Sequence, residues 1–333
     1  MCADLLEHLK DTIFENLYHR SDGLVSVSIV SKSDLIKSVE NKNNWDTFFI
    51  SSQLFEKFES HLTQLFPDII DAFRGERTGW NAMFVIPSKE INESAIETKF
   101  LIPYLKSPSE LITLRFDENY ENYLFVCSLP LDELKEKYIG AYNWINKFQN
   151  SKNSNGTKTI QENCVGNKPF WYSLRPKQAN IVTAINPFER FFFTFSEMPF
   201  TIDQRLVAIT VKYDNDIELI SALLNSIITF LTIEMRGTSR NLGALDLNAN
   251  YFKTLKVLNP NKLTNEAKWN IKTAFHALKN RKIGTIFEEL QKSDRLEFDK
   301  VVLKSFGIDE KIIPLLYHTL SSAVAKRVTL KEK

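Results

Sequence analysis

The feature that most constrains this chain is an apolar run from Leu219 to Leu231, where Leu223, Leu224, Ile227, Ile228 and Leu231 recur at spacings of one, three and four. That spacing is helical. The run falls short of the roughly 18 uninterrupted apolar residues that a membrane span needs, and no other segment reaches them. The expectation is therefore a helix within a soluble globular protein, with no membrane partner. At 333 residues, 43% hydrophobic and 25% charged, the chain is long enough for two or three cores. Directly after the run, Arg236 and Arg240 flank a Gly237-Thr238-Ser239 turn. This loop, continuing to Leu247, is expected to touch something anionic. Tyr251 to Pro260 reads as a short strand closed by proline.

The chain divides into three by pattern. In residues 1–72, Leu5 to Leu17 has helical spacing, Leu24 to Val30 alternates like a half-buried strand, and Phe48 to Phe66 returns to a helical period. This α/β segment carries too little apolar periodicity for an independent domain and reads as the tail of a larger unit. Residues 73–260 are β-rich and mixed, with strands expected over Ala82–Pro87, Leu111–Phe116, Tyr123–Leu129, Phe170–Tyr172, Asn180–Ile185, Phe191–Phe195 and Leu206–Lys212, and a helix over Leu131–Phe148. Residues 261–333 are wholly helical in pattern, with Gly307 placed like a C-cap and Asp309 like the next N-cap. The fold class expected is α+β.

The formal charge of +1 gives no global basic field, so a nucleic-acid surface has to come from local clustering. Cys2, Cys127 and Cys164 are too few for a disulfide framework, and the N-terminus does not read as a signal peptide. Both point to the cytoplasm. Arginine's planar fork suits phosphate oxygens and guanine edges, and small neighbours let backbone approach a ligand. Two loops have this composition: Arg74, Arg77 and Thr78, then Arg236, Thr238, Ser239 and Arg240. Lys152 and Lys158, in a polar loop, are weaker candidates. Phe191, Phe193 and Phe195 are expected in the core, on one face of a strand. Asp68, Glu97 and Lys99 match the loose pattern of a magnesium-dependent endonuclease, in which acidic groups hold the metal and lysine positions water. The five histidines show no ligand spacing, and neither a metal site nor a catalytic set is expected from them.

Gly79-Trp80-Asn81-Ala82-Met83-Phe84, Ile96 to Ser107, Trp171-Tyr172-Ser173-Leu174 and Leu224-Asn225-Ser226, in that order, resemble the target-recognition region of adenine-N6 DNA methyltransferases of restriction-modification systems. The Arg236 loop resembles that family's Arg-x-Ser-x-Gly-x-Gly-like segment. The tail, through Phe287-Glu288-Glu289, Arg295 to Asp299 and Phe306-Gly307-Ile308, is similar to the helical C-terminus of single-chain Eco57I-like type IIG members. The likeness spans residues 75 to 330. The family's cofactor loop and Asn-Pro-Pro-Tyr-like motif are absent. Asn186-Pro187-Phe188 and Asn259-Pro260-Asn261 lack the second proline and read as turns. The resemblance implies a bacterial DNA-reading half that is not active alone. Its partners would be double-stranded DNA and a methyltransferase subunit or domain that binds S-adenosylmethionine, with no cofactor in this chain. Two other readings are the magnesium-dependent endonuclease and an inactive remnant of a split methyltransferase.

Overall fold

The computed structural model describes residues 19–21, 26–28, 31–40, 52–152, 155–164, 168–212, 215–240 and 243–329. Over these the fold is α+β. A hairpin of β1 (His19–Ser21) and β2 (Ser26–Ser28) precedes helix α1 (Lys32–Glu40). The helix expected over Leu5 to Leu17 lies outside the described residues. In place of the single helix expected from Phe48 to Phe66, the described part holds helix α2 (Ser52–Glu59) and strand β3 (Leu62–Gln64). Pairing of β3 with a distant strand at Lys256–Leu258 overrides the local helical period.

Strand β4 (Ile70–Arg74) opens a long excursion before the chain rejoins the same sheet. The excursion contains α3 (Asn81–Phe84), β5 (Val85–Pro87), α4 (Ile91–Ser94), β6 (Leu101–Tyr104), β7 (Asn122–Phe125), α5 (Leu131–Lys137), α6 (Ile139–Phe148) and α7 (Ile160–Asn163). Its three strands form an antiparallel sheet, β5-β7-β6. Four expectations change here. The segment Ala82–Pro87 begins as helix α3, Leu131–Phe148 is two helices meeting at Tyr138, and Phe170-Trp171-Tyr172 is a turn with Phe170 stacked on Tyr172 at 5.1 Å. Leu111–Phe116 forms no named strand, although Phe116 N donates to Phe195 O at 2.9 Å.

The main sheet has the order β4-β10-β8-β9, all antiparallel, with β8 (Gln178–Ala184), β9 (Thr194–Thr201) and β10 (Leu206–Val211). In β10 the consecutive residues Val207, Ala208 and Ile209 are all fully buried. Neighbours on a strand point to opposite faces, so both faces of the sheet are covered. Phe191, Phe193 and Phe195 are buried as expected, and so is Phe192, because this segment enters β9 only at Thr194.

The apolar run forms two helices, α8 (Ile217–Leu224) and α9 (Ile227–Arg236), bent by 58°. No single helix among the described residues is long and apolar enough to cross a membrane. The bend has side-chain causes. Asn225 Nδ2 donates to the carbonyls of Phe193 and Ser221, both at 2.8 Å, while its Oδ1 accepts from Phe193 N at 3.0 Å. Ser226 then caps α9. The fully buried carboxylate of Asp299 accepts from Ile227 N at 2.9 Å, from Arg295 Nε at 2.9 Å and from Tyr317 Oη at 2.8 Å.

After α9 come β11 (Thr238–Ser239), β12 (Leu245–Asp246), α10 (Ala249–Thr254) and β13 (Lys256–Leu258). The strand expected over Tyr251 to Pro260 is therefore present only in its second half. Helices α11 (Asn265–Lys279), α12 (Ile286–Glu289), α13 (Ser293–Ser305) and α14 (Ile313–Thr329) follow. Gly307 takes φ +70° and Asp309 caps the turn that follows. Buried apolar residues form two clusters. The smaller, from Met83 to Leu174, lies within the excursion, whereas the larger runs from Leu54 to Val324. The larger therefore draws on residues before 73, on the middle region and on the helical tail. Backbone bonds bind that tail to the middle region, Ile283 N to Ile112 O and Ile286 N to Glu189 O.

The helical tail carries a buried ionic clasp. Burial alone would raise the Glu289 carboxyl, but bonds from Arg281, Lys292 and Gly284 N outweigh it and hold the group at about 2, below the 4.5 of an unperturbed glutamate. A carboxyl whose pKa is depressed by folding stabilises the fold above its unfolded value and loses that contribution as pH falls through the folded one. Stability on the order of 3 kcal/mol is therefore expected to disappear between pH 4.5 and 2. Urea unfolding across that range should show this loss in the wild type and a shallower one in Glu289→Gln.

Candidate nucleic-acid interface

The two arginine loops have different surroundings. Arg236 ends α9 with its side chain 18% exposed, its guanidinium 4.8 Å from the Phe55 ring and 4.0 Å from the Glu59 carboxylate. Burial lowers its pKa. Thr238 and Ser239 pair with Asp246 and Leu245 in a short hairpin, and Arg240 donates to Asp246 Oδ2 at 2.6 Å. The hairpin is fixed from behind by Arg327. This buried guanidinium grips Glu234 in two bonds of 2.7 and 2.9 Å and donates to the carbonyls of Gly243 and Phe188. Gly243, at φ +75°, lies so close that an added Cβ would stand 2.5 Å from Arg327 O. The loop's arginines are thus engaged internally.

The first loop leaves the sheet at the seam between the two cores. Arg74 Nε donates to Gln204 O at 2.9 Å, and Glu76 bridges to Asp203. Gly75 is obligatory there, because a Cβ would stand 2.2 Å from Asp203 O. Thr78 is 4% exposed and its hydroxyl donates to Asn81 Oδ1 at 2.6 Å, so this side chain is turned inward. Arg77 is exposed and forms no ion pair among the described residues. No hydrogen bond or ion pair joins the two loops among those residues.

The seam also gathers cations that lie outside both arginine loops. From Tyr138 to Lys177 the chain carries Lys147, Lys152, Lys158, Lys168, Arg175 and Lys177 against one carboxylate, Glu162. That gives +5 over 40 residues in a chain whose total is +1. Lys177 Nζ lies 5.4 Å from the ring of Phe73, the neighbour of Arg74. Burial raises the Glu76 carboxyl, and the charge of Lys168 lowers it in part. Cys164 Sγ meets Thr78 O at 3.8 Å. Arg74, Arg77, Lys168 and Lys177 flank the two ends of the excursion, and none has a carboxylate partner within 4 Å among the described residues. Arginine-glycine composition singles out Arg74 and Arg77, whereas Lys168 and Lys177 show only as local charge segregation.

The acidic residues of the endonuclease pattern are not assembled. Both oxygens of Glu97 are taken by the first amides of α6, Gly140 N at 3.0 Å and Ala141 N at 2.9 Å. The carboxylate thus serves as a helix cap, favoured by the positive end of the helix dipole. Lys99 lies over the Tyr138 ring at 3.4 Å. Asp68 belongs to the turn that enters β4, beside the larger core. Among the described residues no three His, Cys, Asp or Glu groups converge as a metal site would require. An open cleft of about 580 Å³ at the end of the main sheet is bordered by Asn186, Phe188, Arg190 and Phe192. Arg190 lies over the Phe192 ring at 4.7 Å and donates to the carbonyls of Pro108 and Leu111, which makes it a brace between loops.

Removing Arg327 would strand the buried carboxylate of Glu234, so Arg327→Ala is expected to cost about 3–5 kcal/mol in urea unfolding. Arg240→Ala, in a pair whose arginine side chain is 56% exposed, should cost about 1 kcal/mol or less.

No protein-family model and no curated protein matches this sequence. Solved structures do. The type IIG restriction endonuclease BpuSI superposes with a TM-score of 0.61 at 14% identity, over 98% of this chain and 39% of the length of BpuSI. The type IIL restriction-modification enzyme MmeI, solved in complex with DNA, gives a TM-score of 0.45 at 14% identity, over 78% of this chain and 36% of MmeI. The likeness to BpuSI is one of fold, and this chain spans about two fifths of that enzyme.

Proposed function

We propose that this chain is the DNA-recognition part of a restriction-modification protein, acting with an adenine-N6 methyltransferase core that binds S-adenosylmethionine on another chain or domain. The observation that carries the reading is the +5 charge of residues 138–177, which Lys177 over Phe73 brings to the seam. Arg240, Lys253 and Lys272 sit against carboxylates. Arg74, Arg77, Lys168 and Lys177 have no carboxylate within 4 Å among the described residues, and their charge suits a phosphate backbone. The fold shared with part of a type IIG restriction endonuclease supports the same reading. In it, the seam cations anchor the duplex and hold its register, while the partner domain extrudes and methylates the target adenine. The Arg236–Asp246 hairpin serves as a support, since its arginines are already engaged.

The test is binding of a labelled duplex across a salt series, with the chain alone and with any methyltransferase chain encoded beside it. The wild type should bind with a steep salt dependence. Replacing Arg77, Lys168 or Lys177 by Ala should weaken all sequences alike and reduce the log–log salt slope by about 1 for each phosphate no longer neutralised. Arg240→Ala should leave the slope unchanged. A wild-type chain that binds no duplex in either form at low salt would exclude the proposal.

A further inference from the structure

We infer that the outer face of α6, formed by Ile139, Asn143, Asn146 and Lys147 and continued by Asn150 in the next turn, is a base-reading surface that lies in the major groove of duplex DNA. This rests on the DNA-recognition reading above and adds which element reads sequence. At about 100° per residue these five positions fall within an arc of about 100° on one side of the helix. Ile139 is 56% exposed, Asn143, Lys147 and Asn150 are exposed, and Asn146 is half-buried. The opposite side is core, with Ala141 and Ile145 fully buried and Trp144 Nε1 donating to Met83 O at 2.9 Å.

The composition of this face is unlike that of a solvated helix. Residues 138–152 contain no aspartate or glutamate, so no carboxylate on this stretch repels phosphate or pairs with Lys147. The amides of Asn143, Asn146 and Asn150 make no side-chain hydrogen bond among the described residues. Asparagine is a poor residue for exposed helix interiors, so propensity does not explain Asn143 and Asn146, although Asn150 lies in the turn past the helix end. Their chemistry suits base edges. An asparagine amide can bond adenine N7 and N6 together, a lysine can reach guanine O6 and N7, and an exposed isoleucine can meet a thymine methyl.

Reading requires that the helix be held still, and α6 is clamped at its start. Glu97 caps its first amides, and Gly140 packs so tightly under Ala95 that a Cβ would stand 1.8 Å from Ala95 O. Because Glu97 occupies the N-terminus, that end is closed to phosphate, and the side of the helix is what remains to be offered. Lys147 extends across the rings of Trp144 and Phe148, at 4.9 and 5.6 Å.

The test is selection of bound sequences from a duplex pool with a randomised central stretch, using the full chain with its methyltransferase partner, alongside the salt series. The wild type should select a defined sequence. Asn143→Ala, Asn146→Ala and Lys147→Gln should each relax the preference at one base pair, by roughly 10- to 100-fold in discrimination, with the salt slope of nonspecific binding unchanged. Circular dichroism should match the wild type, as the two asparagines have no internal partner to lose. Three variants that select the wild-type sequence with undiminished discrimination would overturn the inference while leaving DNA recognition intact. So would variants that weaken every sequence equally and lower the salt slope, since that marks phosphate contacts. A wild type that binds no duplex fails at the earlier step and removes both readings.

Discussion

The arrangement depends on the carboxylate of Asp203, buried where the two cores meet. It accepts from Tyr104 Oη at 3.1 Å, from Arg205 Nε at 2.7 Å and from Arg205 N at 3.0 Å. Tyr104 belongs to the smaller core and Asp203 to the turn of the main sheet, so one side chain joins units with separate apolar interiors. Burial pushes the Tyr104 phenol well up, with the adjacent Asp203 charge adding to it, so the phenol stays a donor. A buried charge is tolerated only when its hydrogen-bonding capacity is filled. Here that requirement fixes how the excursion leaves the sheet, and with it where Arg74 and Arg77 stand.

Electrostatic pairing sorts the cations of this protein into two kinds. Arg281, Arg295 and Arg327 are consumed by buried carboxylates that tie helices to one another. The seam cations have no such role among the described residues. A count of arginines in a loop cannot separate the two, because the carboxylate that engages an arginine can lie far along the chain. Glu234 and Arg327 are 93 residues apart.

The same distinction explains how much is legible in the amino-acid sequence. The amphipathic C-terminal helices follow from period and caps, with Asp309 capping as its position suggests. The strands at 178–184 and 206–211 follow from apolar patterning. The break at Asn225 does not, since it is made by bonds to Phe193, 32 residues away. Nor does the strand at Leu62–Gln64, which depends on a partner past residue 255. At the candidate site, Arg74 and Arg77 are recognisable by type. Thr78 is not a surface donor, because its hydroxyl is turned to Asn81, and Lys168 and Lys177 are readable only as a local imbalance of charge.

The excursion between β4 and β8 begins and ends at one place. Thr78 meets Cys164, and Lys177 lies beside Phe73. β4 and β8 both pair with β10, so that pairing needs no strand of the excursion, although Leu105, Leu111, Leu114 and Phe116 of the excursion belong to the larger core. The smaller unit is therefore a cassette with its two splice points side by side. A sequence exchanged at those two adjacent junctions would have to supply a donor for Asp203 and the apolar side chains that Leu105, Leu111, Leu114 and Phe116 place in the larger core.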